Sequence, residues 1–137
     1  MRKIDYIFID SDREANNSKS DCYDVSNIRY HYVVNSQGIV INPTPVQLTS
    51  KLIDGPIYDP DKYNKCSIFV RYCGDIMSND ILGQRATILS LLVELRQHFP
   101  DAKILGLSEI DGKELHSRNI IVSDAMNVLR RELSDLP

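Results

Sequence analysis

Few side chains in this sequence can do acid–base, nucleophilic or metal chemistry, and they are thinly spread. There are three histidines, His31, His98 and His116, and three cysteines, Cys22, Cys66 and Cys73. The cysteines are an odd set with no Cys-x-x-Cys pair, so no disulfide framework is indicated and a reducing compartment is expected. A cysteine nucleophile would need a base and a lowered pKa, and no Cys–His signature of a protease class is visible. His31 alternates with Tyr30 and Tyr32, so in a strand it points away from both and reads as a hydrogen-bonded, partly buried residue. His98 falls near the end of an amphipathic stretch, where its charge suits the helix dipole. What remains is polar residues at the ends of apolar segments: Asp10 after the first, and Glu109 and His116 beyond the one that closes at Gly106.

The elements that must position these residues are led by the stretch from Ser78 to Leu107. Ile81, Ile88, Leu92, Leu95 and Phe99 recur at intervals of seven, four, three and four, and Leu89, Leu91 and Val93 widen the stripe. This predicts a helix with a broad apolar face, capped by Ser78 or Asn79, with Asp80 in its first turn and Pro100 as its stop. The run Lys103-Ile104-Leu105-Gly106 then reads as a strand buried by that helix, and any chemistry should sit where it ends, at Gly106-Leu107.

Upstream, Lys3 to Ile9 is apolar on both faces and therefore expected to be a central strand that ends at Asp10-Ser11-Asp12. Arg13 to Ser26 is polar with no helical stripe and is read as loop. Tyr30 to Val34, a turn at Asn35-Ser36-Gln37-Gly38 and a returning strand Ile39 to Ile41 make a hairpin. Residues 43 to 65 carry Pro43, Pro45, Gly55, Pro56 and Pro60, a long irregular connection of the kind that borders a binding site or an interface. Ser67 to Tyr72 is a further strand. Ser108 to Asn119 is polar, and Ser123 caps a last helix whose Ala125, Val128, Leu129 and Leu133 face inward. Together these give an α/β fold, a twisted mixed β-sheet covered by helices.

The bulk numbers exclude several classes. At 137 residues the chain is one domain able to build a core without staples. Sixteen basic and nineteen acidic residues leave a net charge of -3, scattered rather than blocked, so a nucleic-acid surface is not expected. No segment is long and apolar enough to span a bilayer, and Asp5 and Asp10 break the N-terminal run, so no secretory signal is seen. The expectation is a protein of the cytoplasm, or one released without a signal peptide.

Taken in order, these segments resemble the zinc-dependent N-acetylmuramoyl-L-alanine amidases, a family that includes phage-type amidase lysozymes and peptidoglycan recognition proteins. The resemblance is carried by Lys3 to Ile9, by Tyr30-His31-Tyr32-Val33-Val34 with its Asn35-Ser36-Gln37-Gly38 turn, by Cys66 to Gly74, and by Gln84 to Gly106 with its Phe99-Pro100-Asp101-Ala102 link. It implies a single amidase-like domain over residues 1–137 and a zinc ion held by two histidines and a cysteine, with an open position for water. The three ligand positions are occupied here by Asp10, Leu107 and, eight residues further on, Leu115. A carboxylate can ligate zinc, but leucine has no lone pair to give. Tight zinc sites draw on about 10–16 kcal/mol from several ligands together, so no bound zinc and no other cofactor is expected.

Two further positions match the family. Tyr30 stands where a tyrosine orients the water, and Lys113 where a basic residue steadies the oxyanion. The resemblance gives these as relict catalytic positions. Asp10, Glu109 and His116 lie near the same strand ends and are candidates for substrate binding or for a relocated metal site. The helix that family members place between the first strand and the tyrosine strand has no counterpart in the sequence pattern. Replacing two ligands by leucine fills their place with apolar volume instead of leaving unpartnered polar groups.

The first expectation is therefore a catalytically inactive domain that binds a peptidoglycan fragment or a protein partner. The second is a working amidase with a displaced metal, cutting between the lactyl group of N-acetylmuramic acid and L-alanine. The third is a ligand-free interaction module.

Overall fold

The computed structural model describes residues 2–11, 30–35, 37–50, 60–74, 83–112 and 123–136. Five strands form one mixed sheet: β1 (Tyr6–Ser11), β2 (Tyr32–Val34), β3 (Val40–Ile41), β4 (Ser67–Tyr72) and β5 (Lys103–Gly106). Their order is β3-β2-β4-β1-β5, with only the β2–β3 hairpin antiparallel. The helices among the described residues are α1 (Pro60–Asn64), α2 (Gln84–His98) and α3 (Ser123–Ser134), and a 3-10 turn (Leu107–Gly112) follows β5. This is the α/β class expected from the sequence.

The period of two along the strands divides the core into two layers. Ile7 and Ile9 of β1, Val34 of β2 and Ile68, Val70 and Tyr72 of β4 pack under Ile88, Leu91, Leu92 and Leu95 of α2 and Ala125, Met126, Leu129 and Leu133 of α3. On the opposite face Phe8, Tyr30, Val33, Phe69 and Cys73 pack with Tyr63 of α1 and Ile110 of the 3-10 turn. Because β1 and β4 are buried on both faces, their near-continuous apolar runs are what parallel pairing demands.

Several boundaries differ from the sequence reading, each for a local reason. β1 begins at Tyr6 because the amides of Asp5 and Tyr6 both donate to the Cys66 carbonyl, at 2.8 and 3.2 Å, and regular pairing starts only beyond them. It runs on through Asp10 and Ser11, whose polar side chains find buried partners. The organising helix starts at Gln84, not near Ser78 or Asn79, since Gly83 stands at its N-cap with φ 74°, a left-handed conformation that a helix cannot propagate through. No side chain caps that end. The Gln84 side chain turns instead to the sheet, its Nε2 donating to the carbonyls of Asn35 and Cys73 at 2.8 and 2.7 Å. β5 is an edge strand, half-buried along Ile104 and Leu105, with Ile104 packed on the core layer that α2 and α3 share. The connection from 43 to 65 ends in a short helix, α1. The polar segment 13–26 lies outside the described residues.

One buried polar cluster ties three distant segments together. His31 is fully buried, and its Nδ1 accepts the Phe69 amide at 3.0 Å. The proton of a neutral ring must then sit on Nε2, which donates to the Leu48 carbonyl at 2.8 Å. Arg2 wraps the same ring: its guanidinium donates to the carbonyls of Val46, Lys65 and Ser67 at 2.9, 3.1 and 2.8 Å and lies 3.0 Å from His31 Nε2. Burial lowers the His31 pKa from its ordinary 6.5, the Leu48 carbonyl opposes this, and the Arg2 charge adds to the lowering.

The folded ring therefore resists a proton that the unfolded chain takes up near pH 6.5, so the stability this site contributes is complete above that pH and is lost as pH falls from it toward the lower folded value. Urea unfolding between pH 5 and pH 8 should show this fall, with a slope from this group of at most about 1.4 kcal/mol per pH unit. In His31→Gln that part of the slope should vanish.

Candidate functional site

The polar residues on the sheet face away from α2 and α3 gather where β1 and β4 end. Asp10 and Arg71 are register partners on these adjacent parallel strands. Both are nearly enclosed, at 8% and 7% exposure, as is Tyr30 at 7%. The Tyr30 hydroxyl donates to Asp10 Oδ2 at 2.5 Å, and the Ser11 amide donates to Asp10 Oδ1 at 2.9 Å. The Arg71 guanidinium lies 5.8 Å from the centre of the Tyr30 ring, within cation–π range. One residue further along β1, Ser11 Oγ donates to the Gly74 carbonyl at 2.6 Å.

The electrostatics follow from burial. Enclosure pushes the Tyr30 phenol well above its ordinary 10, and the Asp10 carboxylate beside it raises it further by charge and by accepting its proton in a hydrogen bond. Arg71 opposes this without reversing it. Tyr30 is thus a fixed donor. Its one O–H is committed to Asp10, which in turn has both carboxylate oxygens occupied by donors.

Leu107 lies at the start of the 3-10 turn, half-buried, and packs on the apolar cluster that contains Tyr30, Phe8 and Phe69. Of the positions where zinc ligands are implied, Asp10 and Leu107 are described, and they do not fit the metal. One is an apolar side chain within the cluster, and the other is a carboxylate held by Tyr30 and Ser11. Leu115, Lys113 and His116 lie outside the described residues. No three His, Cys, Asp or Glu side chains gather to hold a metal among the described residues.

Glu109 is occupied elsewhere. Its Oε1 accepts the Gly106 amide at 2.8 Å, Arg130 Nη1 donates to its Oε2 at 3.1 Å, and Arg130 Nη2 pairs with Oε1. Burial alone would raise the Glu109 pKa, but these bonds and the Arg130 charge outweigh it and hold the carboxyl below its ordinary value. Glu109 therefore anchors α3 to the end of β5. The structure brings Asp10 and Tyr30 together and places Glu109 in a separate ion pair.

The remaining candidates carry no chemistry of their own. Burial and the nearby Asp5 charge push the Cys66 thiol up, the reverse of what a nucleophile needs, and its Sγ lies 2.8 Å from the Lys62 carbonyl. Cys73 is fully buried. His98 is exposed in the last turn of α2. Sequence reasoning missed Arg71, although the signal was present: one charged residue inside a fully buried strand.

No family model matches the sequence, and no curated protein matches it at the level of sequence. Solved structures do share the fold. One is PGRP-Hd from Alvinella pompejana, with a TM-score of 0.59 at 11% identity over 96% of this chain and 83% of that one. The likeness is one of fold: a five-stranded sheet with helices, as in a peptidoglycan recognition protein. Among the described residues no helix is long and apolar enough to cross a membrane.

Removing the Tyr30 hydroxyl tests the polar knot directly. Tyr30→Phe keeps the ring and strips a buried carboxylate of one donor, so it should lower unfolding free energy by about 1.5–3 kcal/mol. Asp10→Asn can keep its oxygen on the Ser11 amide only by turning its NH2 to the phenol oxygen, and it loses the charge beside Arg71, so it should be destabilising as well. Urea denaturation of both variants measures this, and a Tyr30→Phe variant as stable as the natural chain would show that the hydroxyl does not satisfy Asp10.

Proposed function

We propose that this chain is a metal-free, non-hydrolytic domain of the amidase fold, formed over residues 1–137, that binds a peptidoglycan fragment. The observation that carries the non-hydrolytic part is the commitment of the Tyr30 hydroxyl to Asp10 with Leu107 packed on the same cluster. A tyrosine in the role the resemblance implies must present its O–H to water or substrate. Here that proton is bound within the protein, at a position closed by apolar volume. The fold likeness to a peptidoglycan recognition protein supports the choice of ligand.

A working amidase with a displaced metal on Asp10, Glu109 and His116 is the weaker reading. Glu109 would have to leave Arg130 and the Gly106 amide, and Asp10 would have to leave Tyr30, before either could turn to an ion. Breaking such buried, charge-assisted bonds is costly in each case. Lys113, beyond the 3-10 turn, is proposed as a contact to the ligand rather than as an oxyanion donor.

The test is a titration of a synthetic N-acetylmuramoyl tripeptide into the protein by calorimetry in zinc-containing buffer, with mass spectrometry of the mixture afterwards. Saturable binding is expected, with the muropeptide recovered whole. Release of free peptide would establish the displaced-metal amidase, and the absence of heat would remove peptidoglycan as the ligand.

A further inference from the structure

The other face of the sheet carries a surface that the amidase resemblance does not use. β3 is the sheet's edge on the side opposite β5. In the β2–β3 ladder the Asn35 amide donates to the Ile39 carbonyl at 3.0 Å, and Val34 stands opposite Val40. Antiparallel ladders alternate hydrogen-bonded and non-bonded pairs. With 35/39 bonded, 34/40 is the non-bonded pair, and the N–H and C=O of Val40 point outward from the sheet. The side chains there are uncovered: Ile39 is 55% exposed and Val40 40%.

Behind this edge lies a groove of about 420 Å³ between the hairpin and the outer ridge of α2. Val40, Leu91 and Ala86 give it apolar walls, and Thr87, Ser90 and Tyr32 add hydroxyl-bearing side chains. Thr87 Oγ1 also donates to the Gly38 carbonyl at 2.9 Å, which fixes the hairpin turn against the helix and keeps the groove in shape. Among its lining residues the one charge is Glu94. Its carboxylate gives the groove a negative end, and it adds to the burial that raises the Tyr32 pKa.

We propose that β3 and this groove form a docking site for an extended peptide segment of a partner protein, paired to the Val40 backbone and placing a Lys or Arg side chain along the groove to Glu94. Strand addition at a free edge takes affinity from main-chain hydrogen bonds and specificity from pockets for alternate side chains. A long basic side chain fits both parts of the groove, with its methylenes on Leu91 and Val40 and its charge on the carboxylate. A second copy of this chain fits less well. Its own edge, Ile39 to Asn42, offers no cation to Glu94, and each chain carries a net charge of -3. β3 itself spans only Val40–Ile41, so the pairing is short and the segment recognised is a few residues long.

The test uses the full chain, isotope-labelled for amide NMR. The probe is an acetylated, amidated peptide that alternates valine and threonine around one central lysine. The comparison peptide has norleucine in its place. The lysine peptide should shift the Val40 amide and slow its exchange. The norleucine peptide should bind roughly two- to fivefold more weakly, and Glu94→Gln should bring the lysine peptide down to the same level. Glu94 is on the solvent side of α2, so this variant should keep its circular dichroism spectrum. Equal affinity for the two peptides, peptide-induced shifts that leave Val40 untouched, or a dimer through this edge in sedimentation without peptide would each overturn the proposal.

Discussion

A carboxylate enclosed in a sheet must be satisfied where it stands, and Asp10 is the point at which this chain meets that demand. At 8% exposure it cannot rely on water. Leaving such a group unpartnered costs several kcal/mol, more than a domain of this size can absorb lightly. The Tyr30 hydroxyl and the Ser11 amide supply the bonds, and Arg71 supplies an opposite charge on the next strand. Once these partners are fixed, the start of the tyrosine strand is held against the ends of β1 and β4. The geometry of this whole corner of the sheet follows from that one requirement.

The same logic governs the rest of the molecule. Among the described residues, several buried polar side chains are met by bonds that join elements far apart in sequence. Arg2 and His31 fasten the N-terminal segment, the 42–50 connection and β4. Gln84 fastens the start of α2 to the strand ends, and Glu109 with Arg130 fastens α3 to β5. Apolar layers on both sheet faces supply the bulk of the driving force. The polar bonds decide which segments meet. The resemblance to the amidases implies a metal at the corner of Asp10 and Leu107. In this chain the described part of it is occupied by side chains that satisfy each other.

The fold was largely legible because its signals are repetitive. β4 coincides with the expected 67–72 run, and the buried positions of α2 and α3 follow the 3.6-residue stripe, with Met126 the inward residue that the stripe omitted. What could not be read was anything that depends on a distant partner. Asp10 and Ser11 look like the end of a strand until Tyr30 and the Gly74 carbonyl are seen beside them. Ile81 extends the apolar stripe in phase, yet Gly83 halts the helix, a backbone choice that hydrophobic spacing does not register. At the candidate site, the sequence pointed to Tyr30 and Asp10 separately. Their bond to each other, and the part played by Arg71, belong to the three-dimensional register of β1 and β4.

The most direct measurement is the zinc content of the purified protein after dialysis against zinc, by elemental analysis, alongside a Leu107→His, Leu115→Cys double variant. The account predicts that the natural chain retains no zinc beyond the buffer level while the variant, given back two donors beside Asp10, retains it. A natural chain that holds close to one zinc per molecule would contradict the claim that this corner of the fold has been closed to metal.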